Sequence, residues 1–184
     1  METDLEHLAE RLKSGDNNAA CELVDLYYRQ IYLFMRRLGH NDSVSEDLTQ
    51  RCFIYAWQHI ARLQDAGALI TWLYHIATSE SRQYLRWYRF RKTLSADWLR
   101  NCQADDPGSV RKNQDDEQLK RLTRAISKLP IKIRQAVVLH YLQHLSIPQT
   151  AEAMGVPEGT VKSRLNRALI NLRRWLGGEN GEML

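Results

Sequence analysis

Apolar residues recur at helical spacing through most of the chain. Leu23, Tyr27, Ile31, Phe34 and Leu38 follow one another at intervals of four, four, three and four, which lays a single buried stripe along one helix. Ser14-Gly15-Asp16 closes an opening helix and starts this one, and Gly39 stops it as a C-terminal glycine does. Ser43 or Ser45 is placed to cap a third helix. On it Val44, Leu48, Cys52 and Ala56 share an inner face, and Glu46, Asp47 and Gln50 share an outer one. After a break at Gln64-Asp65-Ala66-Gly67 comes a fourth helix with Leu69, Leu73, Ile76 and Ala77 on its apolar side. Its polar stripe is His75, Ser79, Arg82, Arg86 and Arg89, spaced four, three, four and three.

A second block starts near Gln118. Leu119, Leu122 and Ile126 give a short helix, Leu129-Pro130 interrupts it, and Pro130 suits the first turn of the next, which is expected to bury Val137, Val138, Tyr141 and Leu145. Ser146-Ile147-Pro148-Gln149 has the form of a capping box. Between the blocks, around Asp105-Asp106-Pro107-Gly108-Ser109, helical periodicity fades and a tether is expected, with Leu94, Trp98 and Leu99 able to form a short docking helix within it. No sustained alternation of period two appears anywhere. The expected fold is all-α: two small helical domains joined by a flexible linker.

Charge sharpens this division more than it alters it. The 184 residues carry 26 basic and 22 acidic side chains, a net of only +4, so distribution matters more than total. Arg82, Arg86, Arg89, Arg91 and Lys92 are interleaved with Tyr84, Trp87, Tyr88 and Phe90, and Lys162, Arg164, Arg167, Arg173 and Arg174 form a second basic run. The stretch between them is acidic. Two basic helical surfaces on one chain point to two contacts with a polyanion. The aromatic residues among the first set, with Trp72 and Tyr74, offer flat faces beside cations, as single-strand binding requires.

Other chemistries find little support. Cys21, Cys52 and Cys102 are widely spaced with no Cys-x-x-Cys pair, and the first two fall on or beside apolar stripes as core residues do. His140 and His144 have metal-ligand spacing on a helix but no accompanying acid or cysteine in a recognisable pattern, so they read as ordinary boundary histidines. No catalytic triad, glycine-rich phosphate loop, signal peptide or membrane-spanning run is evident. The expectation is a cytoplasmic protein without cofactor, metal, catalytic residues or direct membrane insertion.

The most specific local pattern is Ala151, Gly155, Val156 and Val161. A small residue where two helices approach, a glycine able to turn left-handed four residues later, and two valines filling the angle between the helices describe a helix-turn-helix. On its second helix Val161, Leu165, Ala168 and Leu172 face inward while Lys162, Ser163, Asn166 and Arg167 lie along the outside. The basic outer face favours DNA binding over a structural hairpin.

With these residues in place, the chain resembles the extracytoplasmic-function sigma factors of the sigma-70 superfamily over nearly its whole length. Ser45-Glu46-Asp47-Leu48-Thr49-Gln50 with Phe53 and Trp57 is similar to the segment of region 2 that docks on the polymerase β′ clamp. Thr71-Trp72-Leu73-Tyr74-His75-Ile76-Ala77 is similar to the helix that opens the −10 promoter element, with Ser79 standing where the family commonly has asparagine. Leu129-Pro130, Arg134 and the run from Gly155 through Leu165 resemble the region 4 helix-turn-helix that reads the −35 element.

The resemblance implies domains at 1–91 (region 2), 92–117 (linker), 118–176 (region 4) and 177–184 (tail). It implies polymerase contacts at Glu46, Asp47, Gln50 and Phe53, and −10 contacts at Trp72, Ser79, Arg82, Gln83 and Arg86, beside a loop at 63–68 that receives a flipped base. The −35 contacts would be Thr160, Lys162, Ser163, Arg164, Asn166 and Arg167. The implied partners are core RNA polymerase, through its β′ clamp and β flap, promoter DNA and an anti-sigma factor. A stand-alone regulator using only the second block, and a helical interaction module without nucleic acid, are the competing readings.

Overall fold

The computed structural model describes residues 2–94 and 114–177. Every regular element among them is helical. Residues 95–113 of the expected tether, with Trp98, Leu99 and Cys102, and the tail beyond Gly177 lie outside the described residues, whereas Leu94, expected in a docking helix, is the last residue of the long helix that begins at Leu69.

The first unit is built from α1 (Glu2–Lys13), α2 (Asn17–Arg37), α3 (Asp42–His59) and α4 (Leu69–Leu94). Asp16 caps α2, its side chain accepting from the Asn18 amide at 2.8 Å, and Arg11 ties α1 to α2 by bonds to Asp16 at 2.9 Å and Glu22 at 2.7 Å. After α2 the chain turns through Gly39, whose φ of +92° is a region that side chains with a Cβ rarely enter. The cap of α3 is Asn41, which accepts from the Val44 amide at 2.9 Å, and not Ser43 or Ser45. An amide side chain one position before the helix satisfies an orphan N–H in extended backbone, whereas Ser45 is already helical and buried. Short 3₁₀ turns at Ile60–Arg62 and Ala66–Ala68 then bring the chain round to α4.

Leu8, Leu12, Leu23, Ile31, Phe34, Leu48, Cys52, Leu69, Leu73 and Ile76 are all buried and form this unit's core. Each large apolar side chain so removed from water contributes about 1.5–3 kcal/mol before chain entropy is counted. The α2 stripe lies where the periodicity puts it, except that Tyr27 is half-buried and Met35 is fully inside. Cys52 is a core residue, but Cys21 is exposed on α2, a departure from expectation.

The second unit comprises α5 (Gln114–Lys128), α6 (Ile131–Val137), α7 (Ile147–Met154) and α8 (Glu158–Gly177). Pro130 is the residue before α6 and not within its first turn. From Val138 to Leu142 the helix widens to a π turn, with the Gln143 amide donating to the Val138 carbonyl at 2.9 Å. The wider turn replaces a spacing of four by one of five after Val137, so Leu142 is half-buried and Tyr141, expected inside, is 45% exposed; Leu139 is fully buried as well. Ser146 and Gln149 form the reciprocal capping box at the start of α7, and Gly155 ends it in the left-handed conformation at φ +62°.

The two units share one buried cluster. α7 lies along α4, the most extensive helix pairing among the described elements.

Candidate polymerase and nucleic-acid interfaces

Three surfaces emerge from this scaffold. On α3, burying Leu48, Cys52 and Ala56 forces Glu46, Asp47 and Gln50 outward, and all three are exposed. Phe53, grouped with them in the sequence, is 8% exposed and stacks on Tyr28 with ring centroids 6.2 Å apart. Beside it, between α3 and the first two helices, lies an open apolar groove of about 270 Å³ walled by Leu12, Leu23, Val24, Ile54 and Trp57. The outer face of α3 is therefore an anionic stripe flanked by an apolar depression with Ile54 56% exposed, a neighbour the sequence analysis did not single out. Such a face suits a basic helix with a few apolar anchors.

On α4, Ser79, Gln83, Arg86 and Arg89 are exposed and Trp72 is half-buried. Beyond them Trp87 and Phe90 stand out at 50% and 65% exposure, with the Arg91 guanidinium 4.7 Å over the Trp87 ring. At the start of α4, Asp65 accepts from the Gly67 amide at 2.9 Å and holds the 63–68 turn. The polar stripe does not all face solvent. His75 and Arg82, on the edge nearer α7, bond across to the Glu152 and Met154 carbonyls at 3.1 and 3.0 Å. Burial, then the nearby Arg164 and Arg86, disfavour the charged form of Arg82.

On α8, Val161, Leu165 and Ala168 are buried and Leu172 is half-buried, which turns Lys162, Ser163, Asn166 and Arg167 to the outside. Lys162 lies 3.7 Å from Glu158 one turn back, an exposed pair of small energetic consequence. The Ser163 hydroxyl donates to the Thr160 carbonyl at 2.9 Å. Thr160 is half-buried, and Arg164, grouped with the outward set in the sequence, is half-buried near Arg82.

His140 and His144, spaced as if on one helix, do not share one, since the helix ends at Leu142. His140 Nδ1 bonds the Leu145 carbonyl at 2.8 Å, His144 sits at φ +57° in the turn, and no group of potential metal ligands occurs among the described residues. Nor is any described helix long and apolar enough to cross a membrane.

An anionic stripe, an aromatic and cationic helix, and a basic helix-turn-helix thus lie on one helical chain, and comparison with known proteins places that chain in the sigma-70 class. Residues 23–91 match the family profile of sigma-70 region 2, and residues 119–172 that of sigma-70 region 4. The ECF RNA polymerase sigma factor SigW of Bacillus subtilis is 31% identical over 96% of this chain and 98% of its own. Two solved structures share the fold: the sigma factor RpoE of Bartonella quintana in complex with the anti-sigma factor NepR, and CnrH in complex with the cytosolic domain of CnrY. The first has a TM-score of 0.71 and 23% identity, covering 85% of this chain and 95% of that one. The second has a TM-score of 0.70 and 22% identity, covering 94% and 97%. The chain belongs to the extracytoplasmic-function RNA polymerase sigma factors. It is a transcription initiation factor that binds core RNA polymerase and directs initiation at promoters.

Proposed function

We propose that the three surfaces divide this work among them. The unit ending near residue 91 is region 2, that from about 118 to 176 is region 4, and residues 92–117 join them. The α3 face, through Glu46, Asp47, Gln50 and the edge of Phe53, docks on the β′ clamp of polymerase. Carboxylates held on a rigid helix accept charge-assisted bonds from basic residues there. The α4 face takes the opened −10 strand: Trp72 supplies a stacking plane, Ser79 and Gln83 polar contacts, and Arg82 and Arg86 phosphate contacts, beside the 63–68 turn. The α8 face enters the major groove at the −35 element, where Lys162, Ser163, Asn166 and Arg167 reach outward and Thr160 and Arg164 flank them.

The observation that carries this reading is the left-handed turn at Gly155, which sets α8 with its apolar side against α7 and its cationic side free. The protein acts in the cytoplasm and is restrained by an anti-sigma factor. Supporting that restraint, both solved proteins of like fold were captured with other proteins, one of them named as an anti-sigma factor.

Pull-down with core polymerase, coupled to run-off transcription, tests the division. Asp47→Ala is expected to lose polymerase binding, whereas Arg167→Ala keeps it and loses promoter use. Retention of polymerase by Asp47→Ala and Glu46→Ala together, or an Arg167→Ala protein that initiates normally at every mapped promoter, would remove the assignment.

A further inference from the structure

Arg51, Tyr55, His59 and Arg62 follow one another along α3 and into the 3₁₀ turn at Ile60–Arg62 at intervals of four, four and three, so they share one stripe. Arg51, Tyr55 and Arg62 are exposed and His59 is half-buried. At about 100° per residue this stripe is turned roughly a third of a turn away from Glu46, Asp47 and Gln50. The same helix thus shows carboxylates on one side and cations around an aromatic ring on another.

The ring at the centre of the stripe is already held in place. Tyr55 and His59 stack with centroids 4.0 Å apart and planes 11° from parallel. His59 Nδ1 donates to the Tyr55 carbonyl at 3.0 Å, which fixes the imidazole, and Arg62 Nη1 donates to the Tyr55 hydroxyl at 3.4 Å, which steadies the far end of the phenol. Tyr55 is nonetheless 36% exposed. A side chain immobilised beforehand loses less freedom on binding, so a fixed plane stacks a base better than a mobile one. Guanidinium groups beside it suit the phosphates of the same strand. They also oppose a basic polymerase helix, the partner that the carboxylates on the other side of α3 favour.

The stripe is continuous with the −10 face. The 63–68 turn is entered from Arg62 and left into α4 at Leu69. The linker to the domain that reads the −35 element leaves from the far end of α4, which sets that end upstream and the α3 end of the turn downstream. We propose that Tyr55, backed by His59 and flanked by Arg62, is a stacking shelf for the base that follows, on the downstream side, the one flipped into the 63–68 turn, with Arg51 and Arg62 holding the phosphates there. The proposal rests on the −10 role assigned to α4 and the turn. Every base has a π face, so the shelf adds grip on the opened strand with little sequence preference. It lengthens the stretch of single strand that the protein holds apart from its complement.

The test uses the full chain bound to core polymerase and a fluorescent non-template strand carrying a −10 sequence mapped by run-off transcription. The flipped base is located by 2-aminopurine fluorescence, and an abasic site is then moved along the strand one nucleotide at a time. The wild type is expected to bind about tenfold more weakly when the base after the flipped one is missing. Tyr55→Ala is expected to bind the intact strand about tenfold more weakly and to ignore that abasic site. Tyr55→Phe, which keeps the ring, is expected to behave as the wild type. A Tyr55→Ala protein that binds the intact strand normally, or that stays as sensitive as the wild type to the missing base, would overturn the shelf. An effect confined to polymerase binding in a pull-down would overturn it too and give the stripe to the clamp. Arg86→Ala, made in both backgrounds, separates the two ideas. If it weakens strand binding in each while Tyr55→Ala changes nothing, only the shelf is wrong. If it changes nothing in either, the role of α4 fails first.

Discussion

His40 shows how one buried side chain ties stability to pH. It is 7% exposed, its Nε2 lies 2.8 Å from Ser81 Oγ, and the Tyr84 ring meets it edge-on. Burial, with the positive charge of Arg134 adding to it, pushes its pKa down from 6.5 to about 4. The folded protein thus holds His40 neutral where the unfolded chain would protonate it. Stability from this group is complete above pH 6.5 and declines as pH falls toward about 4. The loss is on the order of 3 kcal/mol. Urea unfolding at pH 7.5 and pH 5 is expected to show that decline in the native protein and a smaller one in His40→Asn. An equal decline in both would assign the effect to other groups. Gly39 makes a different demand, for φ +92° together with room for Arg134. Gly39→Ala is expected to cost about 1–3 kcal/mol. Gly155→Ala, nearer the ordinary left-handed region and with 3.4 Å to its neighbour, is expected to cost less. Thermal melts of the two variants check the order.

Helices were legible wherever one face is buried, because burial imposes a period that the sequence must carry. The α2 stripe, the glycine stops and the capping box of α7 all lie at the residues their patterns indicate. Ser146→Ala removes the hydroxyl that accepts from the Gln149 amide and keeps the backbone N–H that donates to Gln149 Oε1, so one of the two capping bonds is lost. It is expected to cost about 0.5–2 kcal/mol, with the α7 amides losing hydrogen-exchange protection before those of α8. Uniform loss of protection across both helices would mean that the cap stabilises the domain and not this element. Where an element departs from regular geometry, pattern reading slips with it. Tyr141 was expected inside on a strict helical period, and the π turn at Val138–Leu142 carries it out to 45% exposure while Leu142, one position on, is half-buried. The cap of α3 was missed for a related reason: Asn41, Ser43 and Ser45 are all capping residues, and only backbone conformation distinguishes them.

At the scale of the molecule, the contact between the two units was the least legible feature. Its bonds run mainly from side chains to main-chain carbonyls of residues 72 to 105 positions away, and a carbonyl has no sequence identity by which to be recognised. Arg82 and Arg164 looked like plain members of basic stripes for the same reason: a helical face gives direction, and not what another domain places against it. The division of labour between the domains can nevertheless be read out in one measurement on the polymerase complex. Each phosphate neutralised by a side chain steepens the fall of affinity with salt by about 0.7 on a single strand and about 0.9 on duplex, in log–log units. Arg86, exposed on α4 and assigned to strand phosphates, should therefore change the slope: Arg86→Ala makes it shallower by about 0.7. Arg167, exposed on α8 and assigned to a base edge, should instead change discrimination: Arg167→Ala loses about 1–3 kcal/mol on the preferred −35 sequence and little on one already altered at that base pair. Because the sites lie on separate domains, the double variant should show both effects added. Promoter affinity of the complex, titrated with salt on matched and altered promoters, reads both quantities. If Arg86→Ala changed sequence preference and Arg167→Ala only the slope, the two helices would have their roles reversed.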